Sequence, residues 1–198
     1  MSETFSKRYF GVFTLILICF INYVLFNILK MPFCSALLLN HLQPEGYQFV
    51  TSLFFHGHYL HLSGNMFFLY VFGKIVEEEE GFSGILISFF VCGITANLCD
   101  YFFSPKLPYS SLGASGAVFG LFTTALLLKF KPKFSSLMEV LILFPFVFTY
   151  LRNEISLIEK KDQIAHDAHL YGALAGALLI IGLRLMGKRL KNPVKSGN

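Results

Sequence analysis

Long apolar runs, each closed off by charged or turn-forming residues, constrain this chain more than any other feature. A helix that crosses the hydrocarbon core of a bilayer needs about 20 mostly apolar residues, within a range of about 17 to 25. By that measure six segments stand out, near Phe10–Leu29, Leu62–Val76, Phe82–Phe103, Ala114–Phe130, Leu137–Leu151 and Ile164–Met186. The second and fifth are short. Composition agrees: 55% of the 198 residues are hydrophobic and only 14% are charged, against about 25% charged in soluble domains. A surface so poor in charge suits lipid, and the expected fold class is an all-α, polytopic six-helix membrane protein. The first run follows Lys7 and Arg8 as a signal peptide would. Its length, and the Lys30-Met31-Pro32 that follows it in place of a small-residue cleavage site, favour a retained helix.

Basic residues orient the chain. With six spans, both termini and two of the links lie on one side, which collects Lys7, Arg8, Lys74, Lys129, Lys131, Lys133, Arg184, Lys188, Arg189, Lys191 and Lys195. The other side keeps Lys30, Lys106, Arg152, Lys160 and Lys161. Since cytoplasmic loops carry the excess of Lys and Arg, both termini are expected in the cytoplasm, in a bacterial inner (plasma) membrane. The acidic run Glu77–Glu80 falls on the same side but contributes little to the rule. The net charge of +4 is modest and no basic run is interleaved with aromatics, so no nucleic-acid partner is expected. Cys19, Cys34, Cys92 and Cys99 form no CxxC pair and read mostly as small hydrophobes. The stretch from Lys30 to Leu60 is too broken to span and suits the interface. No internal repeat is evident, and residues 1–198 read as one membrane domain.

Polar residues inside membrane spans are expensive and point to function. Here they gather at one depth. His61 and Asn65 open the second segment, Ser115 the fourth, and His166 and His169 the sixth, all three entering from the outer side. At 1.5 Å of rise per residue each lies only ~5 to 10 Å below its helix end. Ser115 sits in Gly113-Ala114-Ser115-Gly116, where small neighbours let backbone approach a substrate and a helix start leaves N–H groups free to bind an oxyanion. Alone, that motif reads more readily as helix packing. His169, Gly172 and Gly176 share a face, and with Gly116 and Gly120 they permit close approach of the fourth and sixth helices. Such packing brings His169 to Ser115 as a nucleophile's base requires. His61 and Asn65, one turn apart, are suitable oxyanion donors or, equally, inter-helix hydrogen bonds.

Together, His56 and His61-xxx-Asn65, Gly113-Ala114-Ser115-Gly116 and Ala168-His169-xx-Gly172-xxx-Gly176 resemble the rhomboid intramembrane serine proteases over about residues 48–181. The resemblance implies a rhomboid-like six-helix bundle and a Ser115–His169 dyad. It also implies an oxyanion hole of His61, Asn65 and the Ser115 N–H, with His56 structural. Gly73-Lys74-Ile75-Val76-Glu77 is similar to the family's end of helix two, where the glutamate braces a connection. Phe119 stands where some members stack a tyrosine on the histidine. Expected substrates are single-span membrane proteins cleaved in or beside the bilayer, with no cofactor and no metal. Leu151–Gln163 would cap the site. The chain has no Trp, so the Trp-Arg pair of the family's first loop is absent.

His166 is a second candidate base, but only His169 carries the glycine register. Asp167, two residues away, points elsewhere on the helix, which favours a dyad. The competing reading is a metal-binding or metal-transporting protein, since His56, His58, His61, His166 and His169 all fall near the outer face. Against it, no HExxH occurs and no intramembrane carboxylate is expected beside them. A third reading keeps the fold as a catalytically inactive binding relative.

Overall fold

The computed structural model of the chain describes residues 9–103, 108–130 and 166–187, with isolated helical positions at 138, 140–142, 144, 145, 148, 149 and 152. The fifth apolar segment is covered only at those positions. The cap assigned to Leu151–Gln163 lies, apart from Arg152, outside the described residues, as do the basic residues of both tails.

Helix α1 (Phe10–Tyr23) runs on through a π-helical turn, Val24–Ile28. Its exposed residues Phe10, Phe13, Leu17, Phe20 and Val24 follow a helical spacing, while Val12, Leu15 and Cys19 are buried. An apolar face left outside is what a lipid-facing helix requires. After α1 the chain folds into short pieces: a 3-10 turn (Pro32–Leu37), strand β1 (Leu39–Asn40), helix α2 (Gln48–Thr51) and a second 3-10 turn (Ser52–Phe54). Leu53 and Phe55 from this stretch are buried, and Phe55 packs with Cys34 and Leu38 into a small core of their own.

The helical run Tyr59–Phe103 is 45 residues long, about twice what a bilayer can hold. It is two helices, α3 (59–80) and α4 (82–103), parted at Gly81, whose φ of 76° and ψ of −175° are not helical. The chain reverses there: a Cβ placed on Gly73 would lie 3.3 Å from Ile85, residues ~18 Å apart in a continuous helix. Helix α3 is longer than the Leu62–Val76 expected from hydropathy. Of the four glutamates at its end, which close the apolar run, Glu77 is buried. Glu77 accepts hydrogen bonds from the N–H groups of Gly11 (2.8 Å) and Val12 (2.9 Å) at the start of α1. Tyr9 donates to Glu78, and Lys129 pairs with Glu79 at 3.6 Å.

A two-residue strand β2 (Ser110–Ser111) pairs antiparallel with β1 and leads into α5 (Ser115–Lys129). Helix α5 is apolar all round and buried from Gly116 to Ala125, as a helix surrounded by others must be. Helix α6 (His166–Leu185) lies beside it. Leu174, Leu178 and Ile181 of α6 are exposed, while His169, Gly172, Ala173, Gly176 and Ile180 turn inward. Among the described residues, three stretches are long and apolar enough to cross a membrane: Phe10–Ile28, Tyr59–Phe103 and His166–Leu185, with the shorter α5 between. The chain is therefore a helical membrane protein whose central helix carries Ser115 at its first turn.

Candidate active site

Glycines set how close the helices around Ser115 can come. A Cβ on Gly172 would lie 2.0 Å from the carbonyl oxygen of Gly116, and one on Gly176 would lie 2.1 Å from that of Gly120. Helices α5 and α6 thus touch backbone to backbone over two successive turns. On the other side of α5, Cβ atoms on Gly116 and Gly120 would collide with Ala96 and Cys92 of α4, at 2.5 and 2.2 Å. Hydroxyls add polar clasps where water is absent. Thr123 donates to the Ala173 carbonyl at 2.7 Å, and Thr124 to that of Gly176 at 3.4 Å.

This contact brings His169 to the first turn of α5. Its imidazole stacks on Phe119, with ring centroids 4.4 Å apart and planes 6° from parallel. Phe119 and Ser115 are one turn apart on the same face of α5, so the stack lies one turn from the half-buried serine. His169 is itself buried. His166 is also buried and stands perpendicular to His169 at 6.1 Å. Asp167 lies within electrostatic reach of Tyr109 and Tyr171.

Ala114 precedes α5 as its N-cap, and its carbonyl accepts from Val118 N–H at 2.9 Å. No side chain caps the helix. The N–H groups of Ser115, Gly116 and Ala117 therefore have no intrahelical acceptor, and the positive end of the helix dipole sits at the serine. His61 stands opposite. The Cβ position on Gly113 is 2.9 Å from His61 Nε2 and 3.9 Å from the Ser115 nitrogen. A side chain there would fill the space between the two, and the backbone φ of 129° also favours glycine. His61 lies within electrostatic reach of His169. Asn65 is buried just below, and its amide donates to the His61 carbonyl at 3.0 Å.

His56 is completely buried in the loop before α3, and its Nε2 faces the Ala114 N–H at 3.5 Å, the long limit of a hydrogen bond. Burial, reinforced by neighbouring His61, pushes its imidazole down to about 3, and a contact with the Phe54 backbone opposes this only in part. His56 is thus a neutral brace beneath the loop that leads to Ser115. Asn27 of the π-helical turn donates to the His56 carbonyl at 2.7 Å, and Gly113 N–H donates to that of Ser52 at 3.0 Å. The nitrogen of His61 donates to His58 Nδ1 at 3.1 Å, closing the first turn of α3. Among the described residues no group of three or more His, Cys, Asp or Glu side chains is placed to hold a metal ion.

Two features escaped the sequence reading. Asn97 of α4 donates to the Phe49 carbonyl (2.9 Å) and the Ser52 hydroxyl (3.1 Å), tying the first loop to the bundle. A buried carboxylate stands beside the remaining histidine, apart from the five near Ser115: Asp100, 3% exposed, lies 3.4 Å from His41. Its signal was available, because an acid inside an apolar run calls for a partner.

The family model named Rhomboid domain matches residues 43–185. The chain is 39% identical over 185 residues to Rhomboid-like protein 11, chloroplastic, of Arabidopsis thaliana, covering 88% of this chain and 66% of that one. It is 36% identical over 78 residues to the rhomboid protease GluP of Bacillus subtilis (strain 168), covering 39% of this chain and 15% of that one. RHOMBOID-like protein 6, mitochondrial, of Arabidopsis thaliana is 30% identical over 140 residues, 69% of this chain and 45% of its own. The chain thus spans about two-thirds or less of the length of these relatives.

Proposed function

This chain belongs to the rhomboid family, and from that premise we propose that it is an intramembrane serine endopeptidase cleaving single-span membrane proteins in or just outside the bilayer. The observation that carries the reading is the stack of His169 on Phe119, one turn from Ser115 at an uncapped helix start. Ser115 Oγ attacks the scissile carbonyl while His169 takes its proton. The oxyanion that forms is met by the Ser115 N–H and the His61 imidazole, with Asn65 behind them. His169 then protonates the leaving amine, and water deacylates Ser115. The reaction uses no metal and no cofactor.

The shallow site answers a chemical need, since deacylation consumes water and the bilayer centre has little. A substrate helix enters from the side and unwinds locally, because a helical peptide bond is shielded from attack. Lys74, Lys129 and Arg184 lie at the far end of their helices from Ser115. Lys74 sits over Tyr9, and Arg184 donates to the Leu127 carbonyl at 2.6 Å. That end is cytoplasm-like under the positive-inside rule, and the site opens to the opposite side. The expectation of a bacterial inner membrane stands beside relatives whose names place them in chloroplasts and mitochondria.

A second reading, an inactive family member that binds but does not cut, is favoured by one detail. Asn65 holds one of its two amide hydrogens on its own helix, which leaves it a single donor for an oxyanion. Cleavage of a single-span reporter in liposomes separates the two, comparing wild type with Ser115→Ala and His169→Ala, with and without a chelator. Protease action predicts cutting by wild type alone, indifferent to chelator. Binding without cleavage by wild type would establish the inactive reading.

A further inference from the structure

The sixth histidine lies outside the proposed dyad and oxyanion hole. His41 follows β1 and is 1% exposed. Its Nε2 is 3.0 Å from the Ser111 hydroxyl and 3.4 Å from Asp100 at the outer end of α4. The ring stacks on Tyr109 at 4.3 Å, and the backbone N–H of His41 donates to the Tyr109 carbonyl at 3.2 Å. Serine, histidine and aspartate together suggest a second catalytic triad, but the geometry rejects that. Hydroxyl and carboxylate share one ring nitrogen, whereas a triad sets them on opposite nitrogens.

What the cluster grips is the chain entering the site. Ser110 and Ser111 form β2, paired to β1 through Leu39↔Ser111 and Asn40↔Ser110. Two residues on comes Gly113, and two more lead to Ser115. A carboxylate buried to this degree needs a donor. Asp100 lies 3.4 Å from His41 Nε2, the same nitrogen that meets the Ser111 hydroxyl, so the carboxylate, the ring and the hydroxyl hold one another in place. Burial, then Asp100 and Asp167, raise the Tyr109 hydroxyl above its ordinary value. The same two acids lie in electrostatic reach of Tyr171 on α6, so the cluster joins the loop to α4 and its charge is felt at the helix that carries His169.

We propose that His41, fixed by Asp100, is a positioning residue for the reaction at Ser115: it anchors Ser111 and so sets where the Gly113–Ser115 backbone meets the oxyanion. The proposal rests on the protease reading above. A displacement of about 1 Å at a reacting centre can lower the rate about 100-fold, and releasing a buried anchor four residues from the nucleophile allows a shift of that order. His41 is buried and is assigned no contact with substrate, so the effect falls on kcat and leaves KM alone.

The test compares wild type, His41→Ala, His41→Gln, Ser111→Ala and the double variant His41→Ala/Ser111→Ala. Reporter kcat and KM, the rate of fluorophosphonate labelling of Ser115, and thermal unfolding in detergent are measured for each. The expected result is a fall in kcat and labelling of about 10- to 100-fold for His41→Ala at unchanged KM. His41→Gln, which keeps a donor in place of Nε2, recovers most of the rate, and the double variant is no slower than His41→Ala. Ser111→Ala, the mildest change, keeps the test open if His41→Ala unfolds. Wild-type labelling rates in folded His41→Ala or Ser111→Ala, or additive losses in the double variant, overturn the proposal and leave the protease reading intact. A wild-type protein that neither labels at Ser115 nor cuts overturns both.

Discussion

Replacing Gly172 by alanine tests the closest contact in the structure. The new Cβ would lie 2.0 Å from the Gly116 carbonyl oxygen, where ordinary contact begins at 3.4 Å, so helices α5 and α6 must part by about 1.4 Å at that level. The obstacle is backbone on both sides, so no rotamer change relieves it. Ser115 lies one residue before Gly116 and His169 one turn before Gly172, so the separation opens the gap between nucleophile and base. Overpacking of this kind costs about 1 to 3 kcal/mol in stability, and a misplacement above 1 Å lowers the rate about 100-fold or more. Gly182→Ala on the same helix is the control, since its Cβ meets nothing within 4 Å and alanine gains up to about 1 kcal/mol of helix propensity. Both variants are assayed by thermal unfolding in detergent and by reporter cleavage in liposomes. Equal activity and stability in the two would refute the backbone contact between α5 and α6, and with it the route that brings His169 to Ser115.

Phe119→Leu removes the ring under His169. Aromatic stacking worth about 0.5 to 1.5 kcal/mol predicts a kcat between about twofold and tenfold lower with the fold retained, while Phe119→Tyr stays near wild type by the same cleavage assay. His56 gives stability a pH dependence. Its value near 3 in the fold lies below the ordinary 6.5, so between those values the unfolded chain binds a proton that the native chain does not. Stability therefore falls as pH drops from about 6.5 towards 3, by up to about 1.4 kcal/mol per unit, and melting across that window should show a shallower slope in His56→Gln. Glu77→Ala strands the buried N–H groups of Gly11 and Val12 at about 1 to 3 kcal/mol each. A marked drop in melting temperature is expected, smaller for Glu77→Gln, and an unchanged one would mean that α1 is not held by this carboxylate.

Much of this was legible before any coordinates, for a physical reason. Lipid forces apolar runs to be helices, and the expense of polar groups inside them left Ser115, His169, His61 and Asn65 conspicuous. The glycine register of Gly172 and Gly176 pointed to close packing because small residues have few other uses on a membrane helix face. Harder to read were features whose partners are far apart in sequence. The acid run after Val76 ended the apolar pattern; the resemblance implied a bracing role for Glu77, and only the fold reveals that its partner is the start of α1. His41 sits in a stretch with no periodicity at all, and nothing local to it names Asp100 or Ser111. The short turns and the strand β1 between Lys30 and Leu60 follow from tertiary anchors such as Asn97 and the pairing with β2, which local propensity does not encode.

The measurement that bears most directly on the central claim is the site of fluorophosphonate modification in the full chain, mapped by mass spectrometry in wild type, Ser115→Ala and His169→Ala. The expected result is a single adduct on Ser115 in wild type, none in Ser115→Ala, and strongly slowed labelling in His169→Ala. An adduct on another residue, or labelling at Ser115 that is indifferent to His169, would contradict it.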